Sequence, residues 1–245
     1  MSDLLTSPLA DLAAVTSISE IFSHKAESVQ VCGVTDGGLA HMISAIGTTC
    51  SFKVIVTFSE QKARELYENV KFFEPDAIYF PPKDFIFYNA DISSKLMVTE
   101  RIKAMEAIYN GSATIITTGS GLMDKLIPLE LFMQGIFTID MYSILETDAI
   151  SKKLTSLGYS HSDQIYSPGE FAIRGSIIDV FPLISDVPYR IDLFDNEVDS
   201  IKTFDMESQR SIENVSKVTI PPAAEYILTE EMADAGISSI KSALA

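Results

Sequence analysis

Four short apolar runs, separated by helix-length segments, occupy the first half of the chain and limit the fold more than any other feature. Val29–Val34, Phe52–Phe58, Ala77–Phe80 and Ala113–Thr117 each read as a strand. Leu39–Ile46, Lys62–Phe73 and Ser93–Tyr109 read as the helices between them. Leu39, Met42, Ile43 and Ile46 fall on one face at helical spacing. The run Phe52–Phe58 is apolar enough for burial on both faces, as in a parallel sheet covered by helices. Ser59 stands where a hydroxyl can cap the following helix. Strand–helix alternation at this spacing predicts an α/β domain with a parallel sheet.

The pattern changes after Thr118. Leu122–Met133 reads as helical, with Pro128 marking a break or a fresh helix start, Phe137–Met141 as a strand, and Ser151–Leu157 as part of a helix that Gly158 ends. Four close strands follow at Phe171–Arg174, Ser176–Phe181, Tyr189–Phe194 and Val198–Phe204. The last two are joined by Asp195-Asn196-Glu197, which is hairpin spacing. These elements predict an inserted α+β unit over residues 119–215. Residues 1–118 are then the first part of the parallel-sheet domain. Residues 216–245, with a strand at Val215–Ile220 and a helix at Thr229–Leu244, begin the segment returning to it.

The formal net charge of −16 opposes generic binding to nucleic acid, which needs basic surface against phosphates. Two cysteines, Cys32 and Cys50, cannot build a disulfide framework or a four-thiolate zinc site. Cys32 lies in an apolar run and reads as a buried thiol in a reducing compartment. His24, His41 and His161 have no metal-ligand spacing, so neither metal nor cofactor is expected. Met1–Ala14 contains Asp3 and Asp11 and lacks the basic start of a signal peptide. No apolar run reaches the ~20 residues of a membrane helix, and a cytoplasmic protein without membrane contact is expected.

The turn at 33–40 is where a nucleotide-binding α/β protein places its phosphate cradle, G-x-x-x-x-G-K-[ST]. Gly33 and Gly38 have that spacing, but Leu39 and Ala40 replace the lysine and the hydroxyl residue. Losing the lysine removes a charge-assisted contact worth roughly 1.5–3 kcal/mol. Losing the hydroxyl weakens the Mg²⁺ site on which phosphoryl transfer depends. Asp36 adds a negative charge inside the turn, repelling a polyphosphate. A tight βα turn of no chemical significance would also contain two glycines. No catalytic residue is expected.

Two stretches carry a family likeness. Pro168–Pro182 (Pro-Gly-Glu-Phe-Ala-Ile-Arg-Gly-Ser-Ile-Ile-Asp-Val-Phe-Pro) and Pro188–Asp205 closely resemble the amino-terminal module of the bacterial transcription-repair coupling factors. Ser208–Arg210, Ile220–Glu225, Phe80–Pro82 with the Asn89 region, Glu100-Arg101 and Gly33–Thr35 continue the match, which runs from about 25 to 228. The resemblance implies a RecA-like domain with a degenerate P-loop and an inserted smaller α+β domain. That module is similar to the excision-repair helicase UvrB without its ATPase. UvrB has an intact phosphate loop and a long aromatic hairpin; here only Lys83–Ile92 separates Pro82 from the next helix. Phe85, Phe87 and Tyr88 in that loop read as packing on the sheet edge rather than as base-stacking groups.

The resemblance further implies a non-catalytic module whose inserted domain recruits UvrA, the damage-recognition ATPase, to stalled RNA polymerase. The full-length proteins also contact RNA polymerase and double-stranded DNA and are ATP-dependent translocases, so this chain reads as a fragment. A nucleotide-dependent helicase fragment of the UvrB type is the alternative. Arg174, Arg190 and Phe194 match the family's UvrA-contact positions. Alternation puts Arg190, Asp192 and Phe194 on one face of a strand and Ile191 and Leu193 on the other. Neither Arg190 nor Phe194 is then needed by the core, and alanine at either is expected to leave the fold nearly intact. Arg101, outside the insert, is expected to be neutral for UvrA binding. The competing possibility is that Arg174 and Arg190 pair internally with Asp179 or Asp192.

Overall fold

The computed structural model describes residues 13–23, 28–46, 52–83, 91–111, 113–227 and 230–244. His24, Cys50, Phe85, Phe87, Tyr88, Asn89 and the segment 1–12 lie outside these residues. The chain divides into two compact units, Met1–Lys125 and Leu126–Ala245, of mixed α/β structure.

In the first unit, α1 (Ala13–Ser23) and α2 (Asp36–Ile46) precede β1 (Phe52–Thr57), α3 (Glu60–Phe73), β2 (Ile78–Phe80), α4 (Asp91–Tyr109), β3 (Ala113–Thr118) and α5 (Gly119–Met123). The sheet is parallel, in the order β1-β3-β2, with Phe52 opposite Ala113 and Ile78 opposite Ile115. All six residues of the central β3 are buried. Ala63, Leu66 and Val70 of α3 pack with Tyr79 and Ile116 on one face; Ala104 of α4 packs with Phe80, Ala113 and Ile115 on the other. Ser59 caps α3 as expected, its hydroxyl accepting the Lys62 N–H at 3.3 Å.

Two expectations are corrected. Burial on both faces belongs to β3 and not to β1, an edge strand whose Phe52, Val54 and Val56 are exposed. Residues 28–35 form no strand. Gly33 turns the chain at φ +82°, Val31 and Val34 are exposed, and Cys32 is an exposed thiol rather than a buried one.

In the second unit, α6 (Leu129–Gly135), β4 (Phe137–Asp140) and α7 (Thr147–Ser156) precede β5 (Ser160–His161), β6 (Glu170–Arg174), β7 (Ile177–Phe181), β8 (Tyr189–Phe194), β9 (Glu197–Phe204) and β10 (Ser211–Asn214). β11 (Lys217–Ile220) and α8 (Glu230–Leu244) complete the described chain. Of the two readings of Pro128, a break or a fresh helix start, the second holds: α5 and α6 are separate helices, and the Pro128 carbonyl accepts from Leu131 and Phe132. The large sheet runs β10-β9-β8-β7-β6-β5, antiparallel except for the β5–β6 pair. Gly158 ends α7 at φ +90°. Its N–H reaches the Thr155 carbonyl, and the Tyr159 N–H reaches that of Leu154, a Schellman cap.

One face of the large sheet supplies Phe171, Ile178, Val180, Ile191, Leu193, Val198 and Ile201 to a core shared with Ile150 and Leu154 of α7. Val218 and Ile220 join this core, since β11 pairs antiparallel with β4. The strand placed by sequence at the start of the returning segment packs within the second unit, which begins at Leu126. Among the described residues, no helix is long and apolar enough to cross a membrane.

Candidate functional site

The turn at 33–40 is where a phosphate cradle would stand. Such a loop needs backbone N–H groups aimed into open space, but here the helix begins early. The N–H groups of Gly38 and Leu39 both donate to the Thr35 carbonyl, at 2.9 and 3.1 Å. Gly37 and Gly38 are thereby drawn into the first turn of α2. Ala40 is 2% exposed and packs with Ala63 and Leu66, and Leu39 lies against the same cluster. The side chains standing where lysine and hydroxyl would be serve the core. The exposed Asp36 carboxylate lies 3.5 Å from the Lys62 ammonium. The Lys62 pKa is raised, first by its hydrogen bond to Glu65, with burial opposing and Asp36 adding to the rise.

A separate cleft of about 460 Å³ opens where β1 and β3 end, lined by Thr57, Ser59, Thr118 and Ser120 among others. Glu60 is the charged residue in its lining, a sign that opposes a phosphate.

The second face of the large sheet holds the charged residues singled out in the sequence. Strand pairing sets them in rows. Ala172, Asp179, Arg190 and Lys202 form one row, and Arg174, Ile177, Asp192 and Ser200 the next. Phe194 and Glu197 pair at the strand ends beyond. Asp179 is 1% exposed and takes both arginines. Arg190 grips it with two hydrogen bonds, Nε to Oδ1 at 2.7 Å and Nη2 to Oδ2 at 2.9 Å. Arg174 donates through Nη2 to Oδ2.

The two arginines differ in what remains available. Arg190 also donates to Gln209, from Nη1 to the carbonyl and from Nη2 to Oε1, both at 3.1 Å. Its guanidinium lies 4.4 Å over the Phe204 ring, and the side chain is 16% exposed. The hydrogen bond to Asp179, foremost, raises its pKa further. The Arg174 side chain is 42% exposed. Internal pairing with Asp179 is thus present for both, whereas Asp192 is taken by Lys202 and Ser200, each at 2.7 Å. Burial works to raise the Asp192 pKa, but these hydrogen bonds outweigh it and hold the carboxyl below its ordinary value.

Phe194 is 74% exposed, while Ile191 and Leu193 are buried on the opposite face, as alternation predicts. Two residues to which the sequence reading gave no role adjoin this face. Gln209, at φ +58°, lies in the tight turn before β10, a strand also missed; only its place within Ser208–Arg210 singled it out. Ile144, 72% exposed, bridges to Glu197 from a loop with no strand pattern. Arg101, expected to be neutral, is fully buried in the first unit. It donates to the Pro81 carbonyl at 2.6 Å and to Asp124 at 3.0 Å, and covers the Phe80 ring.

Comparison with known proteins bears on this second unit directly. Residues 137–226 match the family model of the UvrB interaction domain. A transcription-repair-coupling factor of Bacillus subtilis (strain 168) is 34% identical over 169 residues, 69% of this chain and 14% of that protein. The corresponding factor of Staphylococcus aureus (strain USA300) is 36% identical over 177 residues, 71% of this chain and 15% of its own length. The chain thus spans about one seventh of the curated relatives it matches.

Proposed function

We propose that this chain, homologous to the transcription-repair-coupling factors and carrying a UvrB interaction domain, is a non-catalytic module that docks UvrA. UvrA recruitment links it to nucleotide excision repair, and the docking surface is the second face of the large sheet. One observation carries the reading. Within the matched residues, Phe194 stands exposed on the sheet face that carries a pair of arginines sharing a single buried carboxylate. Of the two guanidinium groups on that carboxylate, Arg174 presents its own to solvent. A guanidinium on one face with an exposed aromatic suits a partner with an acidic group and an apolar pocket.

The absence of catalysis belongs to the same proposal. Leu39 and Ala40 are committed to packing, and the amides of Gly38 and Leu39 to the helix. We take the first unit as part of a RecA-like domain with a degenerate P-loop, and the whole protein as cytoplasmic, with RNA polymerase and double-stranded DNA as further partners. The test is capture of purified UvrA by the immobilised 245-residue chain and by Arg174→Glu. The wild type should retain UvrA, less so at high salt because exposed charge pairs are screened. Arg174→Glu should retain roughly tenfold less, the loss of one interface anchor. Equal retention by both proteins would remove the arginine face from the interface.

A further inference from the structure

The residues assigned above are too few for a stable complex. A standard interface covers about 800 Å² on each partner and some 20–30 residues. Arg190 is spent on Asp179, Gln209 and Phe204, so Arg174 and Phe194 are what reach solvent. The surface must continue, and the strand pairing shows in which direction.

Phe194 and Glu197 are directly opposed across the β8–β9 hairpin, so their side chains share a face. Glu197 is in turn bridged, antiparallel, to Ile144. Two backbone bonds hold this loop to the hairpin: Leu145 N–H to the Asn196 carbonyl at 2.7 Å, and Val198 N–H to that of Ser143 at 3.2 Å. Residues 143–145 thus act as a short extra strand, and Phe194, Glu197 and Ile144 form one row on one face. Strand spacing separates Phe194 from Ile144 by about 10 Å. Both are exposed, at 74% and 72%. Ile144 also borders a cleft of about 340 Å³ beside α7, with Phe137, Leu145, Ala149 and Lys153.

We infer that Ile144 is a second apolar anchor of the docking surface, and that the partner seats an apolar segment across Phe194 and Ile144. This rests on the proposed UvrA docking and extends it from the hairpin onto the 141–146 loop. The loop's place on the surface comes from its backbone bonds to the hairpin, so Ile144 is presented at fixed register beside Phe194. Substituting it removes contact without touching the core, since the side chain is largely exposed.

Equilibrium titration of UvrA into the full chain tests this with Ile144→Ala, Ile144→Asp, Phe194→Ala and Tyr166→Ala. Tyr166 is the control: it is equally exposed, but lies before β6 at the end opposite Arg174. Ile144→Ala should weaken binding roughly fivefold and Ile144→Asp at least about tenfold, with melting temperatures and Tyr166→Ala unchanged. The double variant Phe194→Ala/Ile144→Ala should lose less than the product of the single losses, because neighbouring anchors couple. If Phe194→Ala weakens binding while both Ile144 variants bind like wild type, the extension is wrong and the docking reading stands. If Phe194→Ala also binds like wild type, both are wrong.

Discussion

Asp179 holds two guanidinium groups at 1% exposure, and this single carboxylate gives the arginines unequal roles. Removing Arg190 strips it of a two-bond partner and takes the cation off the Phe204 ring. Breaking a buried pair costs roughly 3–5 kcal/mol. Since Arg174 remains, Arg190→Ala should cost about 3 kcal/mol, against under about 1 kcal/mol for the exposed Arg174→Ala. Denaturant unfolding of the two variants checks the order; equal losses would contradict it. This replaces the expectation, drawn from alternation, that Arg190 is dispensable to the fold. Alternation gives the side of a strand but not what waits there. Arg101 fails as a neutral control for the same reason. Asp192 offers a pH test. Its folded pKa is lowered, so its stabilising contribution is present above the unfolded value of about 3.9 and is lost as pH falls through the lower folded value. The stability gap between wild type and Asp192→Asn should therefore be steady from pH 7 to 5 and shrink below about pH 4; a gap that widens on acidification would refute the assignment.

At the scale of elements, the parallel strands, the Ser59 cap, the Gly158 stop and the hairpins were legible, because each rests on a local signal. Residues 29–34 misled because an apolar run resembles a strand whether or not a neighbour is free to pair, and Gly33 bends it away. The helix over 39–46 was legible from its apolar spacing; the commitment of the Gly38 and Leu39 amides to Thr35 was not. β11 was found, but its pairing with β4, about 80 residues earlier, has no local trace. That pairing carries a prediction. A 126–227 fragment keeps β11 with its buried Val218 and Ile220, whereas a fragment ending at 215 loses both. Each buried aliphatic is worth roughly 1.5–3 kcal/mol. The longer fragment should melt cooperatively and the shorter one at least 10 °C lower or without a transition. Equal melting of the two would show that β11 does not hold the unit together.

For the molecule as a whole, the first unit commits the Gly38 and Leu39 amides to a helix, and the sheet of the second unit carries Arg174 and Phe194 exposed on one face. A net charge of −16 favours a protein partner over nucleic acid for that surface, where Arg174, Arg190 and Lys202 are matched by Asp179, Asp192 and Glu197. Mg²⁺-ATP should neither bind tightly nor turn over above a denatured control, and measurable turnover would restore the helicase alternative. The central claim is docking, and calorimetric titration of purified UvrA into the 245-residue chain and into Phe194→Ala tests it most directly, with the melting temperature of each protein recorded alongside. The wild type should give saturable binding, and Phe194→Ala should weaken it by roughly 1–3 kcal/mol at unchanged melting temperature. Saturation at the same affinity by both proteins, or no saturation by the wild type, would contradict it.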